Sequence, residues 1–176
     1  MHWIKKFMKF KKIICWPPLL GGIGAGVTIG VLAYITFQSI LAGTVYGLWL
    51  AASFGSSVVV VFGYPDNEFA QPKTVLLGHL LCAFIRIIFV ILFKVSQDRT
   101  IFFLFIGLAV GLSVMLMMAF KITHPPAGGN TIVVMLTQDS FHFLLFPIMV
   151  GAVTIIIGGI IYNRFVLKKK YPLKWF

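Results

Sequence analysis

The residues able to do chemistry in this chain are few, and their distribution is selective. Asp66, Glu68, Asp98 and Asp139 are the acidic residues, and all fall in polar stretches between apolar runs. The apolar runs themselves hold Arg86 and, seven residues earlier, His79. That spacing puts both on one helix face, about 10 Å apart along the axis. An arginine at the centre of a membrane helix costs roughly 2.5–3.5 kcal/mol on insertion scales. It therefore marks either an anion attractor or a structural tie to carbonyls or the interface. A carrier of cations or protons places carboxylates within the membrane, and this sequence places none there. The inventory favours an anion or a neutral solute. No Ser/His/Asp set, zinc-ligand spacing or phosphate loop is present. Cys15 and Cys82 are far apart in apolar surroundings, and His2 and His142 are peripheral. The expectation is a protein that is not an enzyme and uses no metal or cofactor.

Two polar interruptions supply the remaining candidates. Residues 123–131 read Thr-His-Pro-Pro-Ala-Gly-Gly-Asn-Thr, between the uncharged run Ile101 to Phe120 and a short apolar run, Ile132 to Leu136. Paired prolines break a helix, and paired glycines permit backbone angles that other residues avoid. Non-helical backbone at membrane depth persists only where it is buried or lines a cavity. The second interruption is Ser53-Phe54-Gly55-Ser56-Ser57, followed by Val58-Val59-Val60. It is similar to Pro126-Ala127-Gly128-Gly129-Asn130-Thr131-Ile132-Val133, and each precedes a polar turn and a full span. Matching interruptions in two halves of a chain point to an internal repeat with a midplane binding site. If short helices begin at Ser57 and Asn130, their first N–H groups suit an oxyanion. Ser53, Ser56, Ser57, Asn130 and Thr131 then either cap those helices or touch the solute. His124 either contacts the solute, titrates, or ties the break to a neighbouring helix.

The elements that must position these residues are membrane spans. Of 176 residues, 60% are hydrophobic and 11% charged, and no charge occurs between Lys12 and Asp66; an average soluble chain has about 25% charged residues. The pattern predicts full spans over Pro18 to Leu41, Thr74 to Phe93, Ile101 to Phe120 and Phe143 to Tyr162, the last kinked near Pro147. Thr44 to Gly63 either spans or re-enters. The fold class is all-α integral membrane, with four full transmembrane helices plus two broken or re-entrant segments. Gly22, Gly26 and Gly30 share a face, for internal packing or for a homo-oligomer contact. The net charge of +11 resides mainly at the two ends, which the positive-inside rule explains better than nucleic-acid binding does. Both termini are then cytoplasmic and the number of crossings is even. The organisation reads as a basic interfacial segment over 1–17 that binds membrane lipids, a transmembrane domain over 18–166 and a basic tail over 167–176.

The chain resembles the HPP family of integral membrane proteins. The resemblance is carried by His124-Pro125-Pro126-Ala127-Gly128, by Ser53-Phe54-Gly55-Ser56 leading to Phe62-Gly63, and by Ala70-Gln71-Pro72-Lys73 on to Gly78-His79. It covers roughly residues 18 to 163. It implies four membrane helices and, by its chloroplast members, nitrite transport; the expected location is the bacterial inner (plasma) membrane. The chain departs from the family pattern at Tyr64 to Phe69 and at Gly129. The functional expectation is a transporter or channel for a small anion, nitrite first. Its site would draw on Ser53, Gly55, Ser56, Ser57, His79, Arg86, His124, Gly128, Gly129, Asn130 and Thr131. The rival reading is a non-transporting scaffold or sensor subunit.

Overall fold

The computed structural model describes residues 16–41, 50–96, 98–135 and 147–175. The expected interfacial segment before Trp16, the turn at Gln138 to Ser140, and Cys15, His2 and His142 lie outside the described residues. Six helices form the described chain: α1 (Trp16–Leu41), α2 (Leu50–Gly63), α3 (Pro72–Ser96), α4 (Phe102–Ala119), α5 (Pro125–Met135) and α6 (Met149–Ile161). A π-helical turn, Tyr162–Val166, extends α6. No strand occurs among the described residues. Four helices are long and apolar enough to cross a membrane, over Pro18–Gln38, Pro72–Ser96, Phe102–Ala119 and Met149–Val166. The described stretches of α2 and α5 have 14 and 11 residues and adjoin residues 42–49 and 136–146, which lie outside the described residues.

The two expected interruptions take a different form. α2 runs unbroken through Ser53 to Ser57, so these residues lie inside a helix and not before one. Gly55 does not interrupt it, because a single helical glycine costs only about 1 kcal/mol relative to alanine. In the second half the break falls earlier than expected. α4 ends at Phe120 with Lys121 in the left-handed region at φ 54°. The Ile122 amide donates to the Met117 carbonyl at 2.9 Å and the Lys121 amide to Met118 at 3.1 Å. This is a Schellman stop, closed by apolar contact between Ile122 and Met117. α5 then starts on Pro125 and Pro126, where missing N–H groups cost nothing. Gly128, Gly129, Asn130 and Thr131 are therefore inside α5. The anion-binding helix ends expected at Ser57 and Asn130 do not exist.

Side-chain contacts give each helix its direction. Gly21 of α1 faces the Tyr162 hydroxyl and the Phe62 carbonyl, and the Asn163 amide donates to the Val61 carbonyl. Gly151 meets Phe54, and Gly159 meets Val61, so α6 runs parallel to α2. Gly78 near the start of α3 faces His124 before α5, while Phe93 and Phe102 pack at the opposite end. The start of α1, the end of α2, the start of α3, the end of α4, the start of α5 and the end of α6 thus share one end of the bundle. Successive helices alternate in direction, so α1–α3 and α4–α6 run in opposite senses. The packing repeats as well. α1 packs on α2 as α4 does on α5, α3 on α5 as α6 on α2, and α3 on α4 as α6 on α1. α2 meets α5 and α3 meets α6 across the centre. These are the contacts of an inverted repeat, with a pseudo-twofold axis between the halves.

α3 and α6 are the inner spans, while α1 and α4 present Ile23, Val27, Val31, Phe103, Leu108 and Met115 outward. Gly22, Gly26 and Gly30 lie on that outward face of α1 with open space beyond them, so they do not serve internal packing. The chain's last residues are fastened to the bundle. Tyr171 is fully buried and donates to the Ala70 carbonyl at 2.6 Å; burial holds its phenol above the usual range, so it remains a donor. Gln71 Oε1 accepts from the Leu173 amide at 2.8 Å.

Glycine is required where α6 crosses its neighbours. A Cβ on Gly151 would strike the ring of Phe54, which is fully buried. Gly151→Ala should therefore lower stability by about 1–3 kcal/mol, the usual cost of overpacking. Gly26→Ala, on the open face of α1, should be neutral or stabilising by up to about 1 kcal/mol. Thermal unfolding of both variants in detergent checks the contrast.

Candidate functional site

α2, α5 and the inner span α3 converge on one buried polar cluster. His79 lies in the second turn of α3, about 10 Å from its start at ~1.5 Å per residue. His79, His124, Ser57 and Thr131 are fully buried, and Asn130 is nearly so. Ser57 Oγ lies 2.9 Å from His79 Nε2 and 2.9 Å from His124 Nε2. Asn130 Nδ2 lies 2.7 Å from His79 Nδ1. His124 Nδ1 lies 2.8 Å from the Phe69 carbonyl oxygen. Ser57 Oγ also reaches the Ser53 carbonyl at 3.1 Å. Every imidazole nitrogen of the pair therefore has a protein partner, as buried polar atoms require.

Local sequence explains why these groups meet. Gly78 removes the side chain that would strike His124, since a Cβ there would come within 2.9 Å of the His124 Cβ. The Schellman stop turns the chain so that His124 sits at the mouth of α5, over the short 3-10 helix Glu68–Ala70. Phe54 of α2 lies against His79, with ring centroids 4.9 Å apart, and closes the cluster on the side of α6. The repeat gives the arrangement its logic. In the match between Ser53–Val60 and Pro126–Val133, Ser57 corresponds to Asn130. Those two equivalent residues grip the two nitrogens of His79 from opposite halves.

The expected residues divide into three groups. Ser57, His79, His124 and Asn130 are brought together, with Ser53 contributing its carbonyl. Thr131 lies one layer on, with its Oγ1 3.3 Å from Ser113 Oγ, and both hydroxyls approach the Cys82 thiol. Arg86 lies two turns farther along α3 and is fully buried, which removes the interfacial alternative. The others are not in the cluster: Ser56 is exposed, and Gly55, Gly128 and Gly129 are half-buried with no neighbour where a Cβ would stand. Sequence reasoning missed Ser113, which carries no signal on a uniformly apolar helix. It also missed Phe69, which acts through its backbone alone.

Beside the cluster lies an open cavity of about 770 Å³ at the shared end of the bundle. Its walls include Lys73, Lys121 and Lys174 against the single acidic residue Glu68, together with Phe69 and Thr123. Phe69 thus lines the cavity and accepts from His124 within the cluster. Lys121 is held there by the helix stop, and Lys174 by the tail amides bound to Gln71. At the opposite end, Asp98 accepts from the Thr100 amide and hydroxyl, which lowers its carboxyl below the usual range.

Comparison with known proteins agrees with this architecture. Residues 12–172 match the HPP transmembrane region. A Dictyostelium discoideum transmembrane protein is 32% identical over 149 residues, covering 82% of this chain and 51% of that relative. A second transmembrane protein of that organism is 30% identical over 132 residues, covering 73% and 42%. The chain spans about half the length of these curated relatives. No solved structure matches it. The helices that carry the His-Pro-Pro stop, the buried cluster and the inverted packing all fall within the matched residues, and the chain belongs to the HPP family of membrane proteins.

Proposed function

We propose that this protein moves a small inorganic anion across the membrane, with nitrite as the first candidate. The observation that carries this reading is His79, gripped by equivalent residues of two inverted halves beside a lysine-lined cavity. Inverted repeats whose helices meet around a midplane site are a recurrent transporter design. The described spans hold no carboxylate, while Arg86 is buried within one. Lys73, Lys121 and Lys174 favour anions at the mouth, and such fields raise local anion concentration. Nitrite itself comes from the family resemblance, not from the geometry.

Charge distribution orients the molecule in this reading. The shared end carries Lys73, Lys121, Arg164, Lys168, Lys169, Lys170 and Lys174, whereas the opposite end has Lys94 and Arg99. The positive-inside rule then puts the shared end, and both termini, in the cytoplasm. The membrane is the bacterial inner (plasma) membrane. Single cysteines at positions 170 and 95 in a cysteine-free background test the orientation. An impermeant thiol reagent added outside intact cells should label position 95 and spare position 170; the reverse pattern overturns it.

Flux into liposomes tests the function. Wild-type protein should carry nitrite above protein-free vesicles, which correct for leakage of nitrous acid. Arg86→Gln should lower the flux, and Arg86→Lys should retain part of it, since lysine keeps the charge without the planar fork. Lys121→Gly separates charge from folding. It removes a cavity lysine and also relieves a left-handed non-glycine residue, worth about 1 kcal/mol. Flux should fall while thermal stability rises. If wild-type protein carries none of nitrite, nitrate, formate or chloride, the scaffold or sensor role replaces this one.

A further inference from the structure

The hydrogen-bond chain through the cluster has one consistent direction. The Phe69 carbonyl can only accept, so His124 Nδ1 carries a hydrogen. A neutral imidazole has one N–H, which leaves His124 Nε2 bare. Its partner Ser57 must then donate its single hydroxyl hydrogen there. The contact between Ser57 and His79 can be made only if His79 Nε2 is the donor. His79 Nδ1 is then bare, and it accepts from the Asn130 amide. Read from the Asn130 end, the order is the same. The two histidines are thus held in opposite tautomers around one serine hydroxyl.

The cluster has a second complete arrangement that differs by one proton. A proton added at His124 Nε2 makes the ring a donor to both Phe69 and Ser57. The Ser57 hydroxyl then turns its hydrogen to the Ser53 carbonyl, already 3.1 Å away. Its oxygen accepts from both imidazoles with its two lone pairs. No cluster atom loses its partner in the change. The new positive charge is buried, so it requires a counter-charge. The charged and titratable groups on the surrounding elements bear on this. Lys73 on α3 and Lys121 after α4 oppose a charged ring, and Glu68 beside Phe69 favours it. Arg86 and Cys82 lie farther along α3, Tyr171 approaches through Ala70, and the described parts of α2, α4, α5 and α6 bring no ionisable side chain.

We propose that Ser57 and His124 form a proton-binding site that fills together with an anion, so that anion and proton cross as a neutral pair. The coupling rests on the transport reading above, whereas the proton site itself does not. Each strengthens binding of the other, as linkage requires.

Full-length protein with 15N-labelled histidine, reconstituted in lipid, tests the site by solid-state NMR. His2→Gln and His142→Gln variants assign the spectrum. At about pH 8, His79 should be protonated at Nε2 and His124 at Nδ1. On acidification His124 should become doubly protonated before His79, and sodium nitrite should raise its midpoint by about one pH unit, a tenfold coupling. Ser57→Ala should abolish the shift and Ser57→Thr should restore it. The same tautomer on both rings, or a His124 that stays singly protonated at pH 5 with nitrite present, overturns the proposal. Nitrite uptake in liposomes provides the second arm. Coupled entry should acidify the lumen beyond protein-free vesicles and be indifferent to valinomycin in potassium, and His124→Gln should reduce it at least tenfold. Nitrite uptake that valinomycin accelerates, without acidification, overturns the coupling and leaves the transport reading standing. A His124 that takes up its proton in a protein with no flux upholds the site and ends the transport reading.

Discussion

The structure depends on the satisfaction of His79 inside an apolar slab. A buried imidazole has one donor and one acceptor nitrogen, and each unmatched polar atom there costs several kcal/mol. α3 cannot supply both partners, because its own backbone groups are already bonded within the helix. Ser57 and Asn130 supply them from α2 and α5, one in each half of the chain. These two helices are therefore placed by chemistry as well as by packing. His124 closes the arrangement by taking the second bond of Ser57 and ending on a backbone carbonyl. Polar networks of this kind stabilise only when complete, so the cluster specifies how the two halves of the molecule meet.

The prolines serve that geometry by starting a helix, not by opening a hole. A Schellman stop with a lysine in the left-handed position is costlier than one with glycine. The compensation is positional: the turn puts Lys121 in the cavity wall and His124 over Phe69. Gly78 makes room for the histidine, and Gly151, Gly158 and Gly159 let α6 lie against Phe54, Thr28 and Val61. Close packing through small residues is how helices associate where lipid provides no hydrophobic drive between them. The polar cluster, through Ser57, and the glycine crossings, through Phe54 and Val61, share the buried face of α2, and together they fix its rotation.

Much of this was legible in the residues. The spans emerged from uncharged length, and the repeat from two stretches in which glycine and small polar residues precede β-branched ones. Ser57, His79, His124 and Asn130 were all among the candidates. Helix continuity was not legible. Ser53 to Ser57 carries the residue types of a break, yet burial of Phe54, Ser57, Val58 and Val61 on one face holds α2 together, so tertiary packing overrides weak propensity. The Pro-Pro pair likewise fits a helix start as well as a helix end, and the left-handed Lys121 that decides between them has no sequence signature. The same reversal removed the helix-end anion sites, since donors assigned to orphan N–H groups are inside regular helices. The cavity lysines went unrecognised because Lys73, Lys121 and Lys174 are far apart in sequence and gather only when the tail folds back.

The absence of carboxylates from the described spans first argued against proton chemistry. The cluster alters that inference. A carboxylate within the membrane serves a proton-coupled carrier because it can be charged or neutral with its partners intact. Two imidazoles around a serine meet the same requirement with the opposite sign: they are neutral when empty and positive when loaded. A site that becomes positive recruits an anion, whereas a carboxylate that loses its proton repels one. For a carrier of anions, histidine is therefore the suitable choice of proton-binding group. In the proposed site the cavity lysines would contribute to the same end, since they would disfavour a positive imidazole until a negative ion compensates it.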